Sequence, residues 1–312
     1  METARCRAFL FAAETGSITK AAEELSYTPS GVSQLIQAFE NDIGVKLLHR
    51  NKKGVTLTEE GKRFIPIVRE LLNCEDAIEQ LSAEVIGLAV GTVNIAAYSS
   101  IATHWLPAVI KEFQKQYPGI EIHLHEGIRQ EVEELLASRK ADMAFMSYKE
   151  PMAFEWIPLA EDPMLAVLDK EHPFAKRKKY PLKACEQEVF IMPAQGLDED
   201  VTNMIRENNL TLQIGFQTHE NFSAIAMIEQ GLGMSIMNKL ITDRLDYDVI
   251  KIPVDPPQHI TFGVAIPALD HATPAARKFV EMAVAMLKTD YSHDQQPLLQ
   301  QRHTDSPVSL RR

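Results

Sequence analysis

Apolar residues recur every three or four positions through roughly the first ninety residues, then give way to short alternating runs. In residues 18–25, Ile18, Ala21, Ala22 and Leu25 share one helical face, and Ser26-Tyr27 breaks the pattern. Thr28 is a strong helix N-cap, and Pro29 sits at the first helical position, where a missing N–H costs nothing. Val32, Leu35, Ile36, Phe39 and Ile43 then repeat at helical spacing up to Gly44, a natural C-terminal cap. The opposite face carries Ser30, Ser33, Gln34, Gln37 and Asn41, short polar side chains without an acid. Two helices around a tight corner, the second polar on its outer side, predict a helix-turn-helix that reads double-stranded DNA. Residues 45–58 predict a β-hairpin whose Lys46, Arg50, Lys52 and Lys53 suit phosphates or a minor groove.

From Thr58 the helical period resumes over some thirty residues. Phe64, Ile67, Leu71, Cys74, Ile78, Leu81, Val85 and Leu88 step by three and four, an a/d seam that predicts pairing of two chains. Pro66 removes one backbone hydrogen bond and is expected to kink or locally loosen the helix. Beyond residue 91 strands and helices alternate. Strands are predicted at 93–97, 120–124, 143–146, 189–192, 213–216 and 234–237. Helices are predicted from Ser100 through Phe113, at 132–138, near 201–208, at 222–229 and at 274–287. This is a two-lobed α/β pattern.

Charge separates the two halves. Of 32 Lys/Arg and 43 Asp/Glu, 10 and 9 fall in residues 1–72, a net of +1, which leaves −12 for the rest. A polyanion would repel that remainder, so the reading head and the body have different tasks. No apolar run is long enough to span a bilayer and the first residues lack a signal peptide's apolar core, so the expected compartment is the cytoplasm, with no membrane partner.

Candidate chemistry concentrates where strands run into helices. Ser99 and Ser100, at such a turn, offer hydroxyls and free amides to a polar or anionic ligand. Ser147 follows the 143–146 strand on the same edge, and Gln195, Thr218 and His219 follow strands of the second lobe. Arg129 and His219 could add positive charge. His123 and His125 alternate with Ile122 and Leu124, which fits a solvated strand face better than a metal pair. Cys6, Cys74 and Cys185 lack metal spacing, and no Gly-rich phosphate loop or nucleophile elbow occurs, so neither catalysis nor a cofactor or metal is expected. The basic run at 176–179 reads as a solvated loop. Residues 291–312, rich in Gln, Pro, Ser and charge, read as a disordered tail.

Residues 9–61 resemble the winged helix-turn-helix of LysR-type transcriptional regulators. The matching residues are Ala13-Glu14-Thr15-Gly16-Ser17, Thr19, Ala21-Ala22, Leu25, Val32-Ser33, Ile36, Glu40, Gly44-Val45, Leu47-Leu48, Arg50, Leu57-Thr58 and Gly61. Pro29 stands where the family often has Gln, and Gln34 where it often has a basic residue. A weaker resemblance runs on to residue 288 through Glu126-Gly127, Ala141-Asp142-Met143-Ala144, His172-Pro173-Phe174 and Gly231-Leu232-Gly233; Ile128 departs from the usual Ser or Thr.

The resemblance implies an all-α winged helix-turn-helix over 1–58 and a linker or dimerisation helix over 59–89. It further implies a periplasmic-binding-protein-like effector domain over 90–290, with lobe I at 90–161 and 268–290 and lobe II at 162–267. The implied DNA contacts are Thr28, Pro29, Ser30, Ser33, Gln34, Gln37, Arg50, Lys52 and Lys53. An effector, a small polar or anionic metabolite, would lie between the lobes. Two dimers would form a tetramer, with RNA polymerase a further candidate partner. The alternative is a two-lobed small-molecule binder or enzyme whose N-terminal helices serve only oligomerisation.

Overall fold

The computed structural model describes residues 2–51, 54–86, 89–243 and 246–291. Lys52, Lys53, Leu88 and the tail at 292–312 therefore lie outside the described residues. Helices α1 (Thr3–Thr15), α2 (Ile18–Glu24) and α3 (Pro29–Ile43) surround one core, with Phe9 and Phe39 rings 5.7 Å apart at its centre. The Thr28 hydroxyl accepts from the Gly31 amide at 3.1 Å to start α3, and Gly44 ends it at φ 73°. Such a cap contributes about 1 kcal/mol. Val32, Ile36 and Phe39 are fully buried, each stabilising by about 1.5–3 kcal/mol.

The hairpin β1 (Leu48–Asn51) and β2 (Gly54–Leu57) leans on the α1–α2 corner, where the Val55 amide donates to the Gly16 carbonyl at 2.9 Å. A Cβ at Gly54, whose φ is +131°, would meet that carbonyl oxygen at 2.3 Å, so only glycine permits the approach. Helix α4 (Glu59–Val85) is capped by Thr58, whose hydroxyl accepts from the Gly61 amide at 2.9 Å, and runs on through Pro66. Its Ile65, Val68 and Leu72 are buried in the same core as α1 and α3. The expected boundary at residue 58 is thus corrected: the first half of α4 is part of the reading head.

Beyond residue 90 one mixed sheet threads both lobes. Its path is β4 (Ile120–Glu126), β3 (Gly91–Ala97), β5 (Met143–Ser147), β12 (His259–Ile266), β6 (Glu155–Asp169), β11 (Val249–Asp255) and β7 (Tyr180–Pro181). Strand β6 is shared. Residues 155–163 pair with β12, and residues 164–169 pair with β10 (Ser235–Asn238) and β11. In lobe II, β8 (Val189–Met192) pairs with β9 (Gln213–Gln217).

Strand β12 corrects the lobe boundary expected at residue 267. Phe262, Val264 and Ile266 are buried in the first-lobe core, beside Phe145 of β5 and Phe279 of α11 (Pro274–Tyr291), so the chain re-enters lobe I before β12. The single helix expected from Ser100 through Phe113 is two, α5 (Ser99–His104) and α6 (Leu106–Gln116). Pro107 has no amide to continue the ladder, and the chain turns at Trp105. The remaining helices are α7 (Arg129–Ala137), α8 (Glu199–Glu207), α9 (Asn221–Glu229) and α10 (Lys239–Thr242). No helix of the described residues is long and apolar enough to cross a membrane.

Candidate nucleic-acid interface and interlobe site

On α3 the exposed Ser30, Gln34 and Gln37 lie opposite the Val32–Ile36–Phe39 stripe, with Pro29 exposed at the helix start. Thr28 has its hydroxyl engaged by the Gly31 amide and 3.1 Å from that of Ser30. Ser33 is half-buried. Its hydroxyl accepts from Arg50 Nη1 at 2.5 Å and its carbonyl from Nη2 at 3.4 Å, which ties the wing strand to the polar face of α3.

Lys46, expected as a free phosphate contact, instead pairs with Glu40 at 2.6 Å. Glu40 is buried and also accepts from the Leu47 and Leu48 amides at 2.9 and 3.2 Å. Burial alone would raise its pKa, but the Lys46 bond and the two amides together hold the carboxyl below its ordinary range. The sequence match at Glu40 gave no hint of this strut between α3 and the wing.

The α4 seam divides. Phe64 and Leu71 are half-buried against the reading-head core. Cys74 is exposed, as are Ile67 at 65%, Ile78 at 67%, Leu81 at 55% and Val85 at 80%, an apolar run along α4 that the described residues leave uncovered. The α/β body grips α4 elsewhere. Gln80 is buried and its Oε1 accepts from the Ala275 amide at 3.1 Å, while Glu84 pairs with Lys278 at 2.6 Å.

Between the lobes lies a cavity of about 410 Å³, walled by Tyr98, Ser99, Ser100 and residues 126–129 of lobe I and by residues 197–200 and 219–222 of lobe II. Of the expected contacts, Ser99, Ser100 and His219 line it. Gln195 stands behind His219, with Nε2 2.8 Å from the imidazole Nε2, and the Thr218 hydroxyl donates to the Glu220 carbonyl at 3.0 Å. Neither belongs to the wall. Ser147 is fully buried and joins the lobes instead. Its hydroxyl donates to the Asp200 carboxylate, 2.7 and 2.8 Å from the two oxygens, and accepts from Arg129 Nη2 at 2.5 Å.

Arg129, only 3% exposed, is the centre of this bridge. It also donates to Glu133 at 3.0 Å and to the Ser147 carbonyl at 2.9 Å, and lies 3.7 Å from Glu199 and 3.9 Å from Asp200. Lys149 pairs with Glu199 across the same gap. Burial, then the neighbouring Asp198, push the Asp200 carboxyl up to about 6; burial likewise raises Asp198, despite the Asp200 and Val201 amides it accepts. Burial, then Asp200, raise the Tyr98 phenol.

Burial is the first cause of all three, so these groups hold their protons more tightly than free carboxyls and phenols do. Residues 198–200 escaped sequence reading because Asp-Glu-Asp before a helix looks like ordinary capping. Elsewhere, His123 lies on an exposed strand face bonded to Asn94 and Glu121, and Arg177 stacks 4.7 Å from the Phe174 ring.

Comparison with known proteins bears on both sites. Residues 4–62 match the profile described as bacterial regulatory helix-turn-helix protein, lysR family, and residues 87–288 match the LysR substrate binding domain. The chain is 34% identical over 286 residues to the uncharacterised HTH-type transcriptional regulator YvbU of Bacillus subtilis, covering 91% of this chain and 98% of that protein. It is 31% identical over 234 residues to the transcriptional activator CmpR of Synechocystis, covering 74% and 76%. In fold it is similar to full-length OxyR of Pseudomonas aeruginosa, with a TM-score of 0.77 at 16% identity, over 92% of this chain and 95% of that one.

Proposed function

Because the chain belongs to the LysR family of bacterial transcriptional regulators, we propose that it reads an inverted-repeat promoter site with two paired heads and answers to a metabolite held between its lobes. The observation that carries this reading is one chain joining an exposed polar recognition face, Ser30, Gln34 and Gln37, to an interlobe cavity through the single helix α4. Either glutamine can pair bidentately with adenine, and one such contact gives about 1–3 kcal/mol of discrimination. Arg50 supplies a charge beside the groove.

Pairing runs along Ile67, Cys74, Ile78, Leu81 and Val85, since water-exposed aliphatic side chains in a continuous run favour burial against a second copy. Two dimers then assemble into a tetramer, and the bound regulator meets RNA polymerase at the promoter in the cytoplasm. The protein acts by differential affinity: only a metabolite that prefers one arrangement of the lobes can shift the heads. No catalytic step is assigned to it.

Footprinting on the DNA upstream of its own gene tests the reading. Two protected half-sites about one or a few helical turns apart are expected. Protection no stronger than on random DNA at equal salt would overturn it.

A further inference from the structure

The interlobe cavity has a charge that selects its ligand. Lys149 is outside the wall and paired with Glu199, and among the described residues six wall carboxylates, Glu126, Glu131, Asp198, Glu199, Asp200 and Glu220, face a single arginine, Arg129. That cation is already engaged by Glu133 and Ser147. An added carboxylate would enter a half-open space dominated by charge of its own sign, where repulsion exceeds that in bulk water.

Two buried polar atoms of the same wall lack a hydrogen-bond partner, the Asn221 Oδ1 acceptor and the Arg129 Nε donor. The acceptor asks for an N–H or O–H from whatever fills the cavity, since a buried oxygen without a donor costs free energy. A protonated amine brings three donors and a positive charge in one compact group.

We propose that the metabolite bound between the lobes carries a primary ammonium group, held by the Asp200 carboxylate and Asn221 Oδ1. This rests on the cavity being the effector site. Arg129 Nε, 3.7 Å from Glu199 and without a hydrogen bond, can take one acceptor, so the ammonium belongs to a free diamine or to an amino acid whose carboxylate is neutralised at that donor. Asp200 reaches across from lobe II to Ser147, so a cation beside it also bears on how the lobes are joined.

The test is calorimetric titration of the full chain with 1,4-diaminobutane, L-lysine and succinate. Wild type is compared with Asp200→Asn, which keeps an acceptor for Ser147, and with Glu126→Gln at the exposed rim, which serves if the first variant fails to fold. At least one ammonium compound binds wild type and succinate does not. Each variant weakens that binding, Asp200→Asn by about tenfold or more, the size of one charge-assisted hydrogen bond. Lysine alone points to an amino acid, diaminobutane alone to an amine.

Absence of binding by both ammonium compounds overturns the proposal. So does succinate that binds and is tightened by Asp200→Asn, although the cavity then stands as the effector site. Ammonium binding that survives Ser100→Trp, whose indole fills the cavity, would place the ligand elsewhere and remove the effector-site reading itself.

Discussion

Arg69 of the linker helix donates to the carbonyl oxygen of Ser138 at 2.6 Å. Ser138 is the C-cap of α7, and the first residue of α7 is the interlobe Arg129. The same guanidinium donates to Glu14 of α1 at 2.5 Å. A rigid helix of nine residues thus stands between the cavity and a buried arginine that touches the reading head. A displacement of Arg129 along α7 is expected to be felt at Arg69, because packed interiors compress little.

Arg69→Met should break that link while keeping the length of the stem. The expected result is faster amide exchange in α1 and in the last turn of α7 together, because each end loses a partner of the other. Exchange that rises in α1 alone would show that Arg69 braces the head without reaching the effector domain.

Base reading and backbone anchoring should separate by mutation. Gln34→Ala is expected to relax preference at one base pair, by about 1–3 kcal/mol, with random DNA little affected. Arg50→Gln releases Ser33 as well as a positive charge, so it should weaken all sequences alike and reduce the salt slope by about one. Competition binding across salt concentrations measures both. Equal losses on operator and random DNA for the two variants would count against the division.

The seam on α4 makes a sharp claim about assembly. Ile78 is 67% exposed in a single chain, so Ile78→Glu costs an isolated monomer almost nothing. In a paired helix the same carboxylate would be buried without a partner, at an effective cost of several kcal/mol for the ion. Sedimentation should therefore show a folded monomer for Ile78→Glu where wild type is a dimer or larger. A variant that sediments like wild type would remove this stripe from the interface.

What was legible in the sequence was local. Thr28-Pro29 at one end of α3 and Gly44 at the other state a helix in backbone chemistry alone, and both caps form as expected. The short buried strands β5, β8 and β10 could be read because each is a compact apolar run. The fold class and the head-to-body order followed from that, and from the resemblance of the N-terminal segment to a known family. Contacts between distant residues were not legible. Ser147 and Asp200 are 53 positions apart and come from different lobes, and nothing near either one names the other. Ser147 therefore read as a ligand contact when it is a bridge. Strand β12 was assigned to the wrong lobe for a similar reason, since its partners β5 and β6 are specified by topology and not by its own pattern. Lys46 looked free because the carboxylate that holds it lies on the neighbouring helix, six residues back.

Asp200 should also leave a signature in stability against pH. Its folded pKa stands at about 6, above the ordinary 3.8 of an aspartate, because burial comes first and Asp198 second, outweighing the Ser147 bond and Arg129; Glu199 adds to the rise and the raised Tyr98 phenol stays neutral beside it. A raised acid binds its proton more tightly in the folded state than in the unfolded one. Its contribution to stability is therefore complete below pH 3.8 and lost as pH rises through about 6. Asp200→Asn cannot titrate, so this loss disappears in the variant, while Asp198, raised in the same direction, remains in both proteins. Urea denaturation of the effector domain between pH 4 and pH 7 should show wild type losing stability relative to Asp200→Asn as pH rises, with the change centred between those two pKa values. A difference that stays constant across the range would mean that Asp200 is ionised at its ordinary pKa, and that the interlobe site is better supplied with positive charge than its geometry indicates.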